Sequence, residues 1–174
     1  MKFLLIFITL LSITLFMIFP AACHSGSFGK PWTVEQYLSS FNKIDNELNE
    51  VASKVSFSDF PYPINDSPEL NNSLESLSFA YRRALQKTGS LKAPDIAGVE
   101  AHLAAYTQFL QDMISPLQDI ELALALGDDE AYGQGLHRCA ALSAESSSCR
   151  RLTETLMQQY DITDTQVDYR YRGE

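Results

Sequence analysis

Four stretches of this 174-residue chain repeat apolar residues at alternating spacings of three and four. The first runs Val34, Tyr37, Phe41, Ile44, Leu48, Val51, Val55, and the second Leu70, Leu74, Leu77, Tyr81, Ala84. The third carries Ile96, Val99, Leu103, Tyr106, Leu110, Met113, Leu117, Ile120 and Leu124. The fourth is different in kind: Tyr132, Gly135, Cys139, Leu142, Ser146, Cys149, Thr153, Leu156 and Tyr160, with small side chains in its middle. Such coiled-coil-like spacing gathers each set on one face of a helix. A helix with a single apolar stripe has to bury it against a neighbour. Four of them, mostly joined by short connections, predict an all-α, antiparallel up-down four-helix bundle over residues 32–160.

Local punctuation agrees with this division. Thr33 with Gln36 three residues on reads as a capping box, with Trp32 and Tyr37 in the staple positions on either side. Ser67 is placed to cap the second helix, Pro68 sits in its first turn, and Gly89 ends it. The third helix is expected from about Pro94-Asp95, with a kink where Pro116 removes a backbone donor, and with Gly127 closing it. Asp128 or Asp129 caps the fourth. The link over residues 56–67 holds Phe57, Phe60, Tyr62 and Ile64, so it is expected to fold over one end of the core. Residues 161–174 read as an extended tail, with Val167, Tyr169 and Tyr171 alternating as in a short strand.

Ahead of the bundle, Lys2 is the only charge before an apolar run from Phe3 to Phe19, and small residues follow. A basic start, an apolar middle and a small-residue end predict an export signal over residues 1–22. The alternative is an uncleaved anchor, although this run is at the short edge of the ~20 residues that usually span a bilayer. Ala21, Ala22 and Cys23 resemble the lipobox of bacterial lipoproteins, while Pro20 stands where that family usually has an aliphatic residue. The resemblance implies that Cys23 carries lipid and becomes the mature N-terminus, with residues 23–31 as a tether. It places the chain at the cell membrane or, given His24 behind the cysteine, at an outer membrane. Secretion behind a eukaryotic signal peptide is the other option, in which Asn71-Asn72-Ser73 is a glycosylation sequon.

About 150 residues remain after the signal, enough for one domain with a proper core. The formal charge of −9 becomes −10 when Lys2 leaves. A surface that acidic repels phosphates, which argues against nucleic acid as a partner.

An exported protein would be expected to pair Cys139 with Cys149. Ten residues along one helix, however, separate Cα atoms by roughly 15 Å, and a disulfide tolerates less than about 7 Å. Either the helix breaks in the serine run around Ser146, or both are buried thiols. The unbroken heptad phase favours the thiols.

Candidate chemistry is sparse. Glu100 and His102 are two apart, whereas metal-binding bundles use a three-residue Glu-x-x-His spacing that puts both ligands on one face. His102 falls beside the third stripe, where a lone histidine is usually a hydrogen-bonded structural residue. His137 with Met113 or Met157 is the one pairing that could ligate haem in a core, and no Cys-x-x-Cys-His accompanies it. No Gly-x-Ser-x-Gly elbow is present, and Cys139 is two residues from His137, a spacing that does not align them on a helix. Arg138, Arg150 and Arg151 make a basic spot that can receive an acidic partner or pair with Glu145 and Glu154. Tyr37, Phe41, Tyr81, Tyr106 and Phe109 are core aromatics that would enclose an apolar cavity if they faced the small residues of the fourth helix.

The run from Ala93-Pro94 through His102 to Gly127-Asp128 is similar to small bacterial lipoproteins with helical-bundle ectodomains. Secreted plant inhibitors of invertase and pectin methylesterase are also bundles, but they depend on disulfides, and this chain has no cysteine between His24 and Arg138. The reading is therefore a non-enzymatic, membrane-tethered bundle with no catalytic residues, no metal ligands and no cofactor. Lipid on Cys23 would hold it to the membrane, and an envelope protein is its candidate partner. A bundle carrying a small apolar ligand, haem or a metal in its core is the alternative.

Overall fold

The structure, a computed structural model, describes residues 32–64 and 68–169. It is an all-α bundle of four long helices: α1 Val34–Ala52, α2 Pro68–Thr88, α3 Val99–Leu126 and α4 Asp129–Gln159. A short α5, Asp164–Val167, and a 3-10 turn at Phe57–Asp59 complete the described elements. Successive helices pack on one another in up-down order, and α5 packs on α1. Among the described residues no helix is long and apolar enough to cross a membrane. The signal, the tether, Cys23 and the Ser67 cap lie outside them.

The caps form as their sequences demand. Gln36 N–H donates to Thr33 Oγ1 at 3.2 Å, and Thr33 N–H donates to Gln36 Oε1 at 3.1 Å. The α4 cap is Asp128, whose carboxylate accepts from Ala131 N–H at 3.0 Å. Gly127 ends α3 at φ 66°, letting Asp128 N–H reach back to Ala123 O at 2.9 Å.

The core is one apolar cluster drawn from all four long helices. Tyr37, Leu38, Phe41, Leu74, Leu77, Leu110, Met113, Leu117, Ile120 and Tyr132 are its most enclosed large side chains. Val51 and Val55 fade to half-buried as α1 ends. The link after α1 folds as expected: Phe57, Phe60 and Ile64 pack against the cluster, and Ile64 N–H donates to Asp129 Oδ1 at 2.7 Å.

Three expectations need correction. First, α3 begins at Val99, not at Pro94-Asp95. Gly98 takes φ 89°, a left-handed conformation that a residue with a Cβ adopts only under strain, and a Cβ there would also press on Leu156 Cδ2 at 2.9 Å. Second, the tail is not extended over its described part. Thr163 and Gln166 form a second capping box, and the single turn they start buries Val167 completely. Asn42 Nδ2 donates to Val167 O at 3.1 Å and Asn46 Nδ2 to Asp168 O at 2.9 Å, so two α1 amides hold the tail down. Third, the α3 stripe holds at Val99, Tyr106, Leu110, Met113, Leu117 and Ile120 but departs in one place: His102 is buried at 1% exposure while Leu103 is half-buried.

The helix α4 runs unbroken through its serines. Ser143 Oγ donates to Cys139 O at 2.9 Å, Ser146 to Ser143 O at 2.7 Å, and Ser147 to Ala144 O at 3.2 Å. Hydroxyls that could have stolen the backbone's partners bond back to the preceding turn instead. At Gly135 the lack of a side chain serves close approach of α3 and α4. A Cβ on Gly135 would lie 2.5 Å from Ile120 Cγ1 and 3.4 Å from Pro116 O. Pro116 itself lies inside an unbroken α3.

Candidate functional site

Two polar arrangements stand out inside the bundle, one closed and one open. The closed one centres on His102. Its Nδ1 lies 2.8 Å from Tyr37 Oη and its Nε2 lies 2.8 Å from Thr153 Oγ1. Thr153 donates its own hydrogen to Cys149 O at 3.2 Å, so it accepts from His102 Nε2–H. Nδ1 is then the acceptor for the Tyr37 hydroxyl, and a neutral imidazole satisfies both bonds. Phe41 packs edge-on against the ring, centroid to centroid 4.4 Å. Burial lowers the histidine pKa to about 4 and raises the Tyr37 phenol well above its usual range. With both ring nitrogens engaged and no solvent contact, His102 is a structural pin joining α1, α3 and α4.

The open arrangement is a groove of about 570 Å³ bounded by α1, α2, α3, α4 and Tyr169 of the tail. Behind it four aromatic rings form a connected run, of which Phe41, Tyr81 and Tyr106 are buried and Phe109 is half-buried. Phe41 meets Tyr106 at 4.6 Å, Tyr106 meets Phe109 at 6.4 Å, and Phe109 meets Tyr81 at 6.3 Å. Facing them are Ser143, Ala144 and Ser147 of α4, whose short side chains leave the space open. Its size falls within the ~300–1,000 Å³ usual for small-molecule sites. At one side sits Asp45, half-buried, which accepts from Tyr106 Oη and from Asn49 Nδ2, both at 2.9 Å. Desolvation raises the Asp45 pKa against the lowering effect of those two bonds.

The residues singled out in the sequence scatter. Cys139 and Cys149 are both free thiols on the one unbroken helix, Cys139 buried and Cys149 half-buried on the groove. Burial pushes the Cys139 thiol up to about 12 and also raises Cys149, so neither is an activated nucleophile. His137 is exposed in a separate groove with Phe57, Phe60 and Tyr62, whereas Met113 is sealed in the core. Met157 lies roughly 30 Å further along α4 by helix rise. The structure therefore brings His137 together with neither methionine. Arg138 pairs with Asp119 at 2.6 Å and Arg150 with Glu154 at 3.5 Å. Among the described residues no group of three or more His, Cys, Asp or Glu side chains is placed to hold a metal ion.

Sequence reasoning missed Asp45, Asn42 and the hydroxyl role of Thr153. A signal existed for the first two. Asp45 is four residues after Phe41, and Asn42 is four after Leu38, so each lies on the apolar face of α1 instead of its wet side. A polar residue at such a position needs partners from another element.

The fold and groove define an all-α bundle with a lined internal cleft. No protein-family model matches the chain, and neither a curated protein nor a solved structure matches it.

Proposed function

We propose that this chain is an exported, non-enzymatic binding protein, tethered to a membrane of the cell envelope through lipid on Cys23, and that it holds a small ligand in the groove between α1, α3 and α4. The tether reading rests on the export pattern of residues 1–22 and the likeness of Ala21-Ala22-Cys23 to a lipobox. The ligand reading rests on one observation: a groove of about 570 Å³ opens between the short side chains of α4 and the half-buried ring of Phe109, which belongs to an otherwise buried aromatic run. Aromatic area of that kind supplies affinity without chemistry.

The groove is tested with the neutral probe N-phenyl-1-naphthylamine, whose fluorescence rises in apolar surroundings. The expected result is enhancement with the wild-type chain and its loss in Ser147→Trp, which fills the groove from α4. Equal enhancement in a folded Ser147→Trp protein would place the probe elsewhere and remove the reading. The tether is tested by intact mass and membrane fractionation: the mature chain should begin at a diacylglyceryl-modified Cys23 and leave the membrane in Cys23→Ser.

A partner protein is the second reading, favoured by Leu122 and Leu126, 59% and 71% exposed one turn apart on α3. Crosslinking in the native envelope through an introduced photoreactive residue at Leu126 would capture such a partner.

A further inference from the structure

Asp45 is a groove feature that an apolar ligand would not need; the other charged residues of the lining are Glu50, which is exposed, and Arg150, which pairs with Glu154. Both of its hydrogen bonds come from neutral donors, Tyr106 Oη to Oδ1 and Asn49 Nδ2 to Oδ2. Ion pairs on other carboxylates join Glu121 to Arg82, Glu47 to Arg83 and Lys87, Asp119 to Arg138, and Glu154 to Arg150. An ionised carboxylate has about four acceptor positions, so Asp45 keeps acceptor capacity that the fold does not use. Its charge reaches across the groove. Burial first, with the Asp45 charge among the further causes, raises the phenols of Tyr81, Tyr106 and Tyr169 and the thiol of Cys149. An uncompensated carboxylate removed from bulk water costs stability unless something cationic meets it.

From this placement we infer that the groove takes a small organic cation, an alkyl- or arylammonium ion, with its nitrogen on Asp45 and its apolar body against the half-buried ring of Phe109 and the short side chains of α4. The inference rests on the groove being a ligand site and names the class of ligand. Charge complementarity selects it. The ammonium replaces lost solvation at the carboxylate and donates a charge-assisted hydrogen bond to it. A carboxylate-bearing ligand would meet the Asp45 charge, and a neutral one would leave it unpaired.

The experiment uses the full chain in detergent micelles and three probes of similar size: phenethylammonium, 2-phenylethanol and phenylacetate, titrated by calorimetry. Phenethylammonium is expected to bind about tenfold or more tightly than the alcohol, with phenylacetate weakest, as a hydrogen-bonded charge pair implies. In Asp45→Asn the ammonium preference over the alcohol should fall to within about twofold, since the amide keeps the shape and loses the charge. Thermal melting checks that this variant is folded. Equal binding of ammonium and alcohol to the wild type overturns the cation inference and leaves the groove reading standing. An ammonium preference that survives in Asp45→Asn removes Asp45 from the site. Binding of none of the three overturns the groove reading itself.

Discussion

Tyr37 and His102, from the first turns of α1 and α3, share a buried 2.8 Å hydrogen bond across 65 residues of sequence. With Thr153 on the far side of the imidazole, this bond ties the ends of three helices together. It also makes the protonation state of one histidine a condition of the packed core.

The consequence is a specific pH dependence. The folded pKa of His102 lies near 4, below the ordinary 6.5, because burial disfavours the charged ring. The unfolded chain therefore binds the proton more readily. The associated stability is fully present above pH 6.5 and is lost as pH falls toward 4. Linkage puts its upper size at about 3 kcal/mol. Urea unfolding at pH 7 and pH 4 should show that loss in the wild type. His102→Gln should be less stable at pH 7 and should lack this part of the pH slope; an unchanged slope would mean another group carries it.

Two glycines two residues apart on α4 should respond to alanine in opposite directions. At Gly135 the new methyl meets Ile120 Cγ1 and Pro116 O, inside a core contact with no room to give. Overpacking of ~1–3 kcal/mol should exceed the ~1 kcal/mol gained in helix propensity, so Gly135→Ala lowers the melting temperature. At Gly133 the obstacle is Tyr62 Cε2 at 2.7 Å, on a ring 65% exposed that can swing away. Gly133→Ala should hold or raise the melting temperature, and a fall as large as that of Gly135→Ala would contradict this.

Ending the chain after Ile162 removes Val167 from a fully buried seat and leaves the Asn42 amide without its acceptor. Loss of one buried valine and one buried hydrogen bond should cost roughly 2–4 kcal/mol. Chemical denaturation of the truncated protein measures it. Stability equal to that of the full chain would show that the tail does not dock in solution.

The two bundle thiols should label at different rates and as free groups. Cys149 is half-buried on the groove and should react with iodoacetamide about tenfold or more faster than Cys139, which is fully enclosed with its thiol pushed up to about 12. In denaturant without reductant both should label, as read by peptide mass. Recovery of a Cys139–Cys149 disulfide would require α4 to break between them.

Much of this could be read in advance because it is local. Thr33, Gln36, Gly127 and Asp128 act within one helical turn, so their roles follow from the residues beside them. The serine run of α4 was ambiguous for a physical reason: a hydroxyl can bond to its own helix or draw the backbone away from it. The apolar phase on both sides favoured continuity, and the back-bonds to Cys139, Ser143 and Ala144 carry it. The tail misled because one turn of helix needs a docking surface before it forms, and that surface, Asn42 and Asn46, is more than a hundred residues away.

By itself, then, the sequence determined four amphipathic helices, most of their ends and the bundle they must form, because a three-four apolar period acts within a few turns of the chain. The tertiary structure decided which residue of α3 fills the turn after Val99. His102 and Leu103 fit that period equally well after Val99, and polarity favoured the leucine. The fold buries the histidine because Tyr37 and Thr153 arrive from other helices with the hydroxyls it needs. The groove beside Asp45 has the same origin: its wall and its charge come from separate helices and meet only when they pack.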